Sequence, residues 1–351
     1  MGKKAVGKLT YIISIIVSVV IMLICILAGK ASNFHPHNFP IMPFLGLAFP
    51  FLLLLNLFIM VIWIIRLKIW FIIPFIALII GYFNLQPIYY PPFFHKNKEK
   101  GNFRIATYNV AAFNSPTSDY DAKELAKFMK DEKTDVICMQ EFIGNENLTD
   151  SLLLAIFSYW PYHYIPNFPP KDIIRPAIFS KYPISETQLI TFKNSKNCAL
   201  LCTINVKGKY IRIFNNHLQT TDLTQIKEKG NDIAHKEFYN QLRIQALQRN
   251  SLIRAQQADN IRSLVQQSPY PVIMCGDFND SPFSYTYKAM LGNLKDGFIT
   301  NGKGYASSYR YASKMFRIDY IFYSEPLKGT NYYTSEFGES DHYPVILELK
   351  I

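Results

Sequence analysis

Polar residues recur in this sequence where short apolar runs end. Asn109 follows Ile105-Ala106-Thr107-Tyr108, and Glu141 follows Asp135-Val136-Ile137-Cys138-Met139-Gln140. His217 closes Ile211-Arg212-Ile213-Phe214-Asn215-Asn216, and Asp277 and Asn279 follow Val272-Ile273-Met274-Cys275-Gly276. Asp319 lies within Arg317-Ile318-Asp319-Tyr320-Ile321-Phe322, and Asp341 and His342 precede the last apolar run. A strand end holds a side chain rigidly while leaving it open to a cleft. Taken singly, each has an ordinary explanation: Gly276 to Asp280 has turn composition, and a lone His217 reads as a hydrogen-bonded structural histidine. Together they supply several oxygen donors, two histidines and no thiolate cluster. That inventory suits a hard divalent cation such as Mg or Mn and acid–base chemistry near neutral pH, not a structural zinc.

Holding those ends in place requires short strands separated by helices. Candidate strands are Phe103–Val110, Asp135–Gln140, Ala177–Phe179, Ala199–Val206, Tyr210–Asn215, Val272–Cys275, Ile318–Tyr323 and Val345–Leu349, each rich in β-branched or aromatic residues. Helices are predicted over Asp121–Asp131, Asn147–Phe157 and about Lys236–Gln267. In the last, Leu242, Ala246, Ile253, Ala258, Ile261 and Leu264 recur at roughly helical spacing. Its other face carries Arg243, Arg249, Arg254 and Arg262, which read as a solvated face or, alternatively, as a phosphate-facing strip.

From about residue 101 to the end the chain resembles the endonuclease/exonuclease/phosphatase superfamily, the deoxyribonuclease-I-like fold. Seven stretches in family order carry the resemblance: Thr107 to Val110, Met139-Gln140-Glu141, Ala177 to Ile184, Asn216-His217-Leu218, Gly276 to Asn279, Arg317 to Ile321 and Ser340 to Val345. The resemblance implies an α/β protein, a four-layer α/β sandwich of two mixed β-sheets with helices outside, and metal-dependent phosphoester hydrolysis. Carried over by position, it implies Glu141 as principal metal ligand, with Asn109 and Asp341 helping to hold the metal or its waters. Asp277 and Asn279 would orient the attacking water and contact the phosphate. Asp319 would hold His342 as base or transition-state stabiliser, and His217 would donate to a phosphate oxygen or the leaving group. Arg175-Pro176 stands where many members have glycine, so Arg175 is a candidate substrate contact or a surface charge. Tyr162 and Tyr164 are candidates for an aromatic completing the phosphate site.

The superfamily cleaves DNA, RNA, inositol phosphates and sphingomyelin, so fold does not choose the substrate. The expected activity is a metal-dependent phosphodiesterase of nuclease type. The alternatives are a lipid phosphodiesterase or phosphatase, sphingomyelinase-like or inositol-phosphatase-like, and a catalytically inactive binding module of the same fold.

The 351 residues carry a formal charge of +11. Residues 1–100 hold nine Lys/Arg and one acid, Glu99, leaving 28 and 25 for the remainder, so the charge divides into +8 and +3. The +3 is weak support for a basic nucleic-acid groove. Five cysteines, one of them in an apolar run, give no disulfide framework. The apolar runs exclude a wholly soluble chain. Leu9–Gly29 has 21 residues without a charge, enough for a hydrocarbon core of about 30 Å. Ile41–Ile65 is a second run, and Ile69 to about Tyr90, interrupted by Pro74, is a third. Residues 1–95 are therefore expected to form a membrane anchor of about three helical spans (about 9–29, 41–65 and 69–90), with Pro91–Gly101 as linker and 96–351 as catalytic domain. Lys3, Lys4 and Lys8, and then Arg66 and Lys68, place the N-terminus and the second turn in the cytoplasm by the positive-inside rule. Three crossings then leave the catalytic domain extracytoplasmic; the first 95 residues also resemble the N-terminal spans of membrane-anchored bacterial members of the superfamily, which implies a bacterial inner membrane. The partners implied are the lipid bilayer and a phosphoester, either nucleic acid or lipid headgroup; no protein partner is inferable.

Overall fold

In the computed structural model the chain forms two compact units, Met1–Gln86 with Ser281–Lys288, and Pro87–Asp280 with Ala289–Ile351. All residues are described except 1, 92–99, 114–119, 145–147, 167–173, 222–235 and 339. Most of the expected linker, Pro91–Gly101, lies outside the described residues.

The first unit contains α1 (Gly2–Gly29), α2 (Met42–Ile65) and α3 (Ile72–Asn84). Val6–Gly29 and Met42–Ile65 are long and apolar enough to cross a membrane, whereas Ile69–Asn84 is shorter. The expected count of three spans is corrected to two candidates. The third apolar run breaks into a single 3-10 turn, Ile69–Phe71, followed by α3. Together these rise only about 24 Å, short of a hydrocarbon core of about 30 Å. The helices meet through a small residue and polar pairs. A Cβ on Gly81 would lie 2.2 Å from Leu53, so glycine permits α3 to approach α2. Trp63 Nε1 donates to Ser18 Oγ at 2.9 Å, and Trp70 Nε1 donates to Tyr11 Oη at 2.7 Å.

The second unit runs, in chain order, β1 (Tyr89–Tyr90), β2 (Phe103–Asn109), α4 (Tyr120–Asp131), β3 (Val136–Gln140), α5 (Asp150–Ile156), β4 (Tyr162–Tyr164), β5 (Ala177–Ser180), β6 (Ile184–Thr191), β7 (Cys198–Val206), β8 (Lys209–His217), α6 (Lys236–Gln266), β9 (Val272–Asp277), α7 (Tyr285–Leu291, begun in the first unit), β10 (Lys295–Asp296), α8 (Gly297–Asn301), β11 (Gly304–Tyr305), β12 (Asp319–Tyr323), β13 (Lys328–Thr334) and β14 (Val345–Lys350). Among the described residues, one six-stranded sheet has the order β13-β14-β2-β3-β5-β4 and the other β10-β12-β9-β8-β7-β6. All eight expected strands and all three expected helices form. Helix α5 starts later than expected, at Asp150, where Thr149 Oγ1 caps it by accepting from Leu152 N at 3.3 Å.

The topology explains why the site forms where it does. Each sheet has one parallel pair at its centre, and the two strands of each pair end side by side, Asn109 beside Gln140 and His217 beside Asp277. Strands β14 and β12 run antiparallel to these pairs and begin at the same edge, Val345 beside Thr107 and Asp319 beside Asp277. Alternation along the strands then aims the side chains. Ile105, Ile211, Ile213, Ile273, Cys275 and Ile321 fill the core between the sheets, whereas Ala106, Tyr108, Ile137 and Met139 face outward under α4 and α5. A period of two carries the inward side onto Thr107, Asn109, Asn215, His217, Asp277 and Asp319. The candidate residues are thus the polar end of the inter-sheet core. Helix α6 covers the outside of the second sheet, where Leu264 and Gln267 wall a cavity with Leu201 and Arg212. Helix, sheet, sheet and helix make up the expected four-layer sandwich.

Candidate active site

Asp277 is the hub. Its Oδ2 accepts from Asn109 Nδ2 at 3.2 Å and from Asn279 Nδ2 at 3.1 Å, and its Oδ1 accepts from Asn279 N at 2.8 Å. The same Oδ2 lies 3.7 Å from Nε2 of His217 and 3.7 Å from Nε2 of His342. Glu141 joins from the first sheet: its Oε1 accepts from Asn109 Nδ2 at 3.1 Å and lies 3.6 Å from His217 Nε2. Strict alternation would point Glu141 away from the core, because Val136 and Cys138 are the inward residues of β3. A left-handed backbone at Glu141 (φ 53°) breaks the alternation. On the far side His342 Nδ1 meets Asp319 Oδ2 at 2.8 Å. Ser308 Oγ accepts from the Ile318 and Asp319 amides at 2.9 Å each, and Ser340 Oγ donates to the Asn109 carbonyl at 2.7 Å. Asn109, Glu141, His217, Asp277, Asn279, Asp319 and His342 therefore converge, with Asp341 Oδ1 3.9 Å from His342 Nε2.

The two histidines are driven apart in proton affinity. Burial lowers His342, but the carboxylates of Asp319 and Asp277, the bond to Asp319 and the charge of Asp341 outweigh it and raise it to about 10. Burial lowers His217 to about 4, with Asp277 opposing and His342 adding to the shift. Burial raises Asp277, against the two histidines, and it raises Glu141 against the Asn109 bond. With metal removed by chelation, histidine-selective NMR should show His342 cationic from neutral pH up to about 10 and His217 neutral down to about 4. Asparagine replacements at each position assign the signals. The linked stability has opposite signs. The His342 contribution is complete below the ordinary histidine value of about 6.5 and is lost as pH rises through about 10. His217 lowers stability as pH falls from about 6.5, and that loss levels off at about 4.

The model of the endonuclease/exonuclease/phosphatase family matches residues 106–342, more than half of the chain. The chain belongs to the endonuclease/exonuclease/phosphatase family. A second model, of a domain of unknown function, matches residues 8–88. A comparison with curated proteins finds no match. Among solved structures, TDP2 of D. rerio complexed with single strand DNA product is 14% identical, with a TM-score of 0.54 over 71% of this chain and 99% of that one. A family protein from Leptotrichia buccalis is 18% identical, with a TM-score of 0.51 over 71% and 100% of the two chains. One from Bacteroides vulgatus is 18% identical, with a TM-score of 0.51 over 71% and 98%. These likenesses show the shared α/β fold.

Endonuclease/exonuclease/phosphatase enzymes are generally phosphoester hydrolases and typically use a divalent metal ion. The donor set here fits one. Glu141, Asp277 and Asp319 confront the single imidazolium of His342, an excess of buried negative charge that a cation would neutralise. Glu141 keeps 30% of its side chain exposed and Asp341 37%, so both remain reachable. Both ring nitrogens of His217 and Asp319 Oδ1 are buried without a hydrogen-bond partner. Asp277, Asp319 and His342 also bring one ligand-type atom each within 4.8 Å of the others, but Asp319 and His342 are already bonded to each other. Asn109 takes a bracketing position: its Oδ1 accepts from Ala111 N at 3.0 Å, while its amide nitrogen spans Glu141 and Asp277.

Arg175 is engaged elsewhere. Its two Nη atoms donate to Asp150 at 2.8 and 2.6 Å and its Nε donates to the Phe142 carbonyl at 3.0 Å, which pins the segment after Glu141 and gives no reason to assign it to substrate. Tyr162 is exposed on an edge strand, and Tyr164 packs against the inter-sheet core. The tyrosine beside the site is Tyr309, whose ring lies edge-on to His342 at 5.5 Å. Its signal was its place ahead of the Arg317-Ile318-Asp319 stretch, which proximity in sequence alone does not single out. Ser308 was missed for the same reason, and Ser340 and Arg254, noted in a family stretch and on a helix face, were given no role: each acts through a hydrogen bond that composition does not encode.

Proposed function

We propose that this chain is a membrane-attached, divalent-metal-dependent phosphodiesterase with nuclease-type activity. One observation carries the reading: the Nε2 atoms of two histidines lie 3.7 Å from a single Asp277 oxygen, and Glu141 stands beside one of them. In this reading Glu141 and Asp341 would hold a divalent cation, and Asn109 fixes Glu141 relative to Asp277. The bound cation supplies Lewis-acid stabilisation of phosphate charge. Asp277, held by Asn279, orients the attacking water. Its raised proton affinity suits it to receive the water proton near neutral pH. His342, kept cationic by Asp319, donates to a phosphate oxygen where charge develops. His217, neutral, offers its ring N–H as a hydrogen-bond donor to the leaving oxygen, which takes its proton from solvent water.

Apolar helices Val6–Gly29 and Met42–Ile65 support attachment to a bilayer. They also favour a second reading, cleavage of lipid headgroup phosphodiesters, since tethering raises the local concentration of headgroups. Orientation follows the number of crossings. Two return the chain to the cytoplasm by the positive-inside rule, and the outward placement expected from three requires Ile69–Asn84 to cross as well. The D. rerio relative was solved with a DNA product, which makes DNA the first substrate to try. The full chain should be recovered from the membrane fraction with detergent. With Mg or Mn it should hydrolyse DNA or RNA faster than sphingomyelin or inositol phosphates, and chelation should abolish the activity. Preference for sphingomyelin would replace the first reading by the second; metal-independent or absent hydrolysis of every substrate would sink both.

A further inference from the structure

Arg254 reaches the site from behind. It sits in the middle of α6 and is 4% exposed, whereas Arg249 and Arg262 of the same helix are exposed. Its Nε donates to Asp280 Oδ2 at 3.1 Å, and its Nη1 donates to the Gln219 carbonyl at 3.0 Å and to Thr221 Oγ1 at 2.7 Å. One turn further on, Gln257 Oε1 accepts from Gln219 N at 2.8 Å.

Those partners belong to two segments that carry the chemistry. Gln219 and Thr221 continue from His217, and Asp280 continues from Asp277 and Asn279. Asn279 already joins the segments, its Nδ2 donating to the Leu218 carbonyl at 3.0 Å and to Thr220 Oγ1 at 3.4 Å. It does so from a left-handed backbone (φ 52°), which an asparagine tolerates when its surroundings hold it. The guanidinium closes the triangle between helix and segments. A rigid planar fork fixes several acceptors at once, and a lysine ammonium does not.

We propose that Arg254 is a positioning residue for hydrolysis, holding His217 and Asn279 in register with Asp277 through a brace on the two segments behind them. The proposal rests on the phosphodiesterase reading and deepens it. A brace of this kind acts on the reacting geometry, not on substrate affinity. Arg254→Ala should therefore lower kcat about 10²-fold with KM within about twofold, the scale of a 1 Å misplacement. Arg254→Lys should melt near wild type and still lose most of kcat, and millimolar guanidinium should restore about tenfold of the Arg254→Ala rate. The assay uses the full chain in detergent, Mg and bis(p-nitrophenyl) phosphate, with Glu141→Ala as control. Equal rates for wild type and Glu141→Ala defeat the hydrolase reading and this proposal with it. A clear Glu141 effect with wild-type kcat in Arg254→Lys defeats the proposal alone. So does activity that falls only with the folded fraction, or a loss confined to KM.

Discussion

Replacing Glu141 by alanine should lower metal-dependent kcat about 10³-fold, the upper range for removing one preorganised electrostatic partner. The substitution should not unfold the protein. Burial raises Glu141 in proton affinity, and Asp341 adds repulsion, so in the metal-free protein the charged carboxylate is a destabilising presence. Alanine removes that cost and leaves Asn109 bonded to Asp277. The melting temperature in chelator should therefore hold or rise. Added Mg or Mn gives the opposite contrast. A folded state that binds metal at 100 times its dissociation constant gains about 2.7 kcal/mol. Wild type should show an upward shift on that scale, and Glu141→Ala should show little. Thermal melts with and without metal, beside the rate, separate a lost ligand from a damaged fold. An equal metal shift in both proteins would remove Glu141 from the cation site.

How much of this was legible beforehand depended on where each residue sits in its sheet. The central strands β2, β3, β8, β9, β12 and β14 are buried along most of their length and read as apolar runs. Their polar terminal residues stood out against that background: four of the eight expected site residues outside the Arg175 loop, Asn109, His217, Asp277 and Asp319, are strand-terminal, and the other four lie one to four residues beyond a strand. Strands β4, β6, β10 and β13, absent from the sequence reading, are the four outer strands of the two sheets. One flank of an edge strand faces solvent, so sequences such as Ile-Ser-Glu-Thr-Gln in β6 and Lys-Gly-Thr-Asn in β13 carry no apolar run to detect. Loop chemistry was the other blind spot. The left-handed turn that swings Glu141 inward follows from tertiary contacts, not from a glycine or asparagine at that position. Arg254 looked like one of four arginines on a helix face, and only the fold shows that it points inward. The third apolar run failed for a different reason: hydropathy registers length of run, and the 3-10 turn at Ile69–Phe71 shortens the helix that the run can build.

Asp319→Asn isolates charge from shape at the other end of the site. Asparagine has almost the same volume and can still bond His342, so the bonds from the Ile318 and Asp319 amides to Ser308 should survive. What changes is the proton. In wild type the carboxylate accepts from Nδ1 and holds the ring as imidazolium, offsetting a burial that on its own lowers it. An asparagine amide donating to Nδ1 instead selects the neutral ring with hydrogen on Nε2. In the metal-free protein the His342 titration should therefore drop from about 10, with the carboxylates of Asp277 and Asp341 still opposing burial. The alkaline limb of the pH–rate profile should move to lower pH for the same reason, because the cation that meets phosphate charge is lost sooner. Near neutral pH kcat should fall between about 10² and 10⁴-fold, the range for losing a transition-state donor or its correct tautomer. In the proposed mechanism Asp319 acts only through His342, so Asp319→Asn added to His342→Ala should cost little more than His342→Ala alone. Additive losses in that double variant would mean that Asp319 contacts the substrate or cation directly. An unchanged His342 titration in the single variant would mean that the carboxylate does not set the charge of the ring.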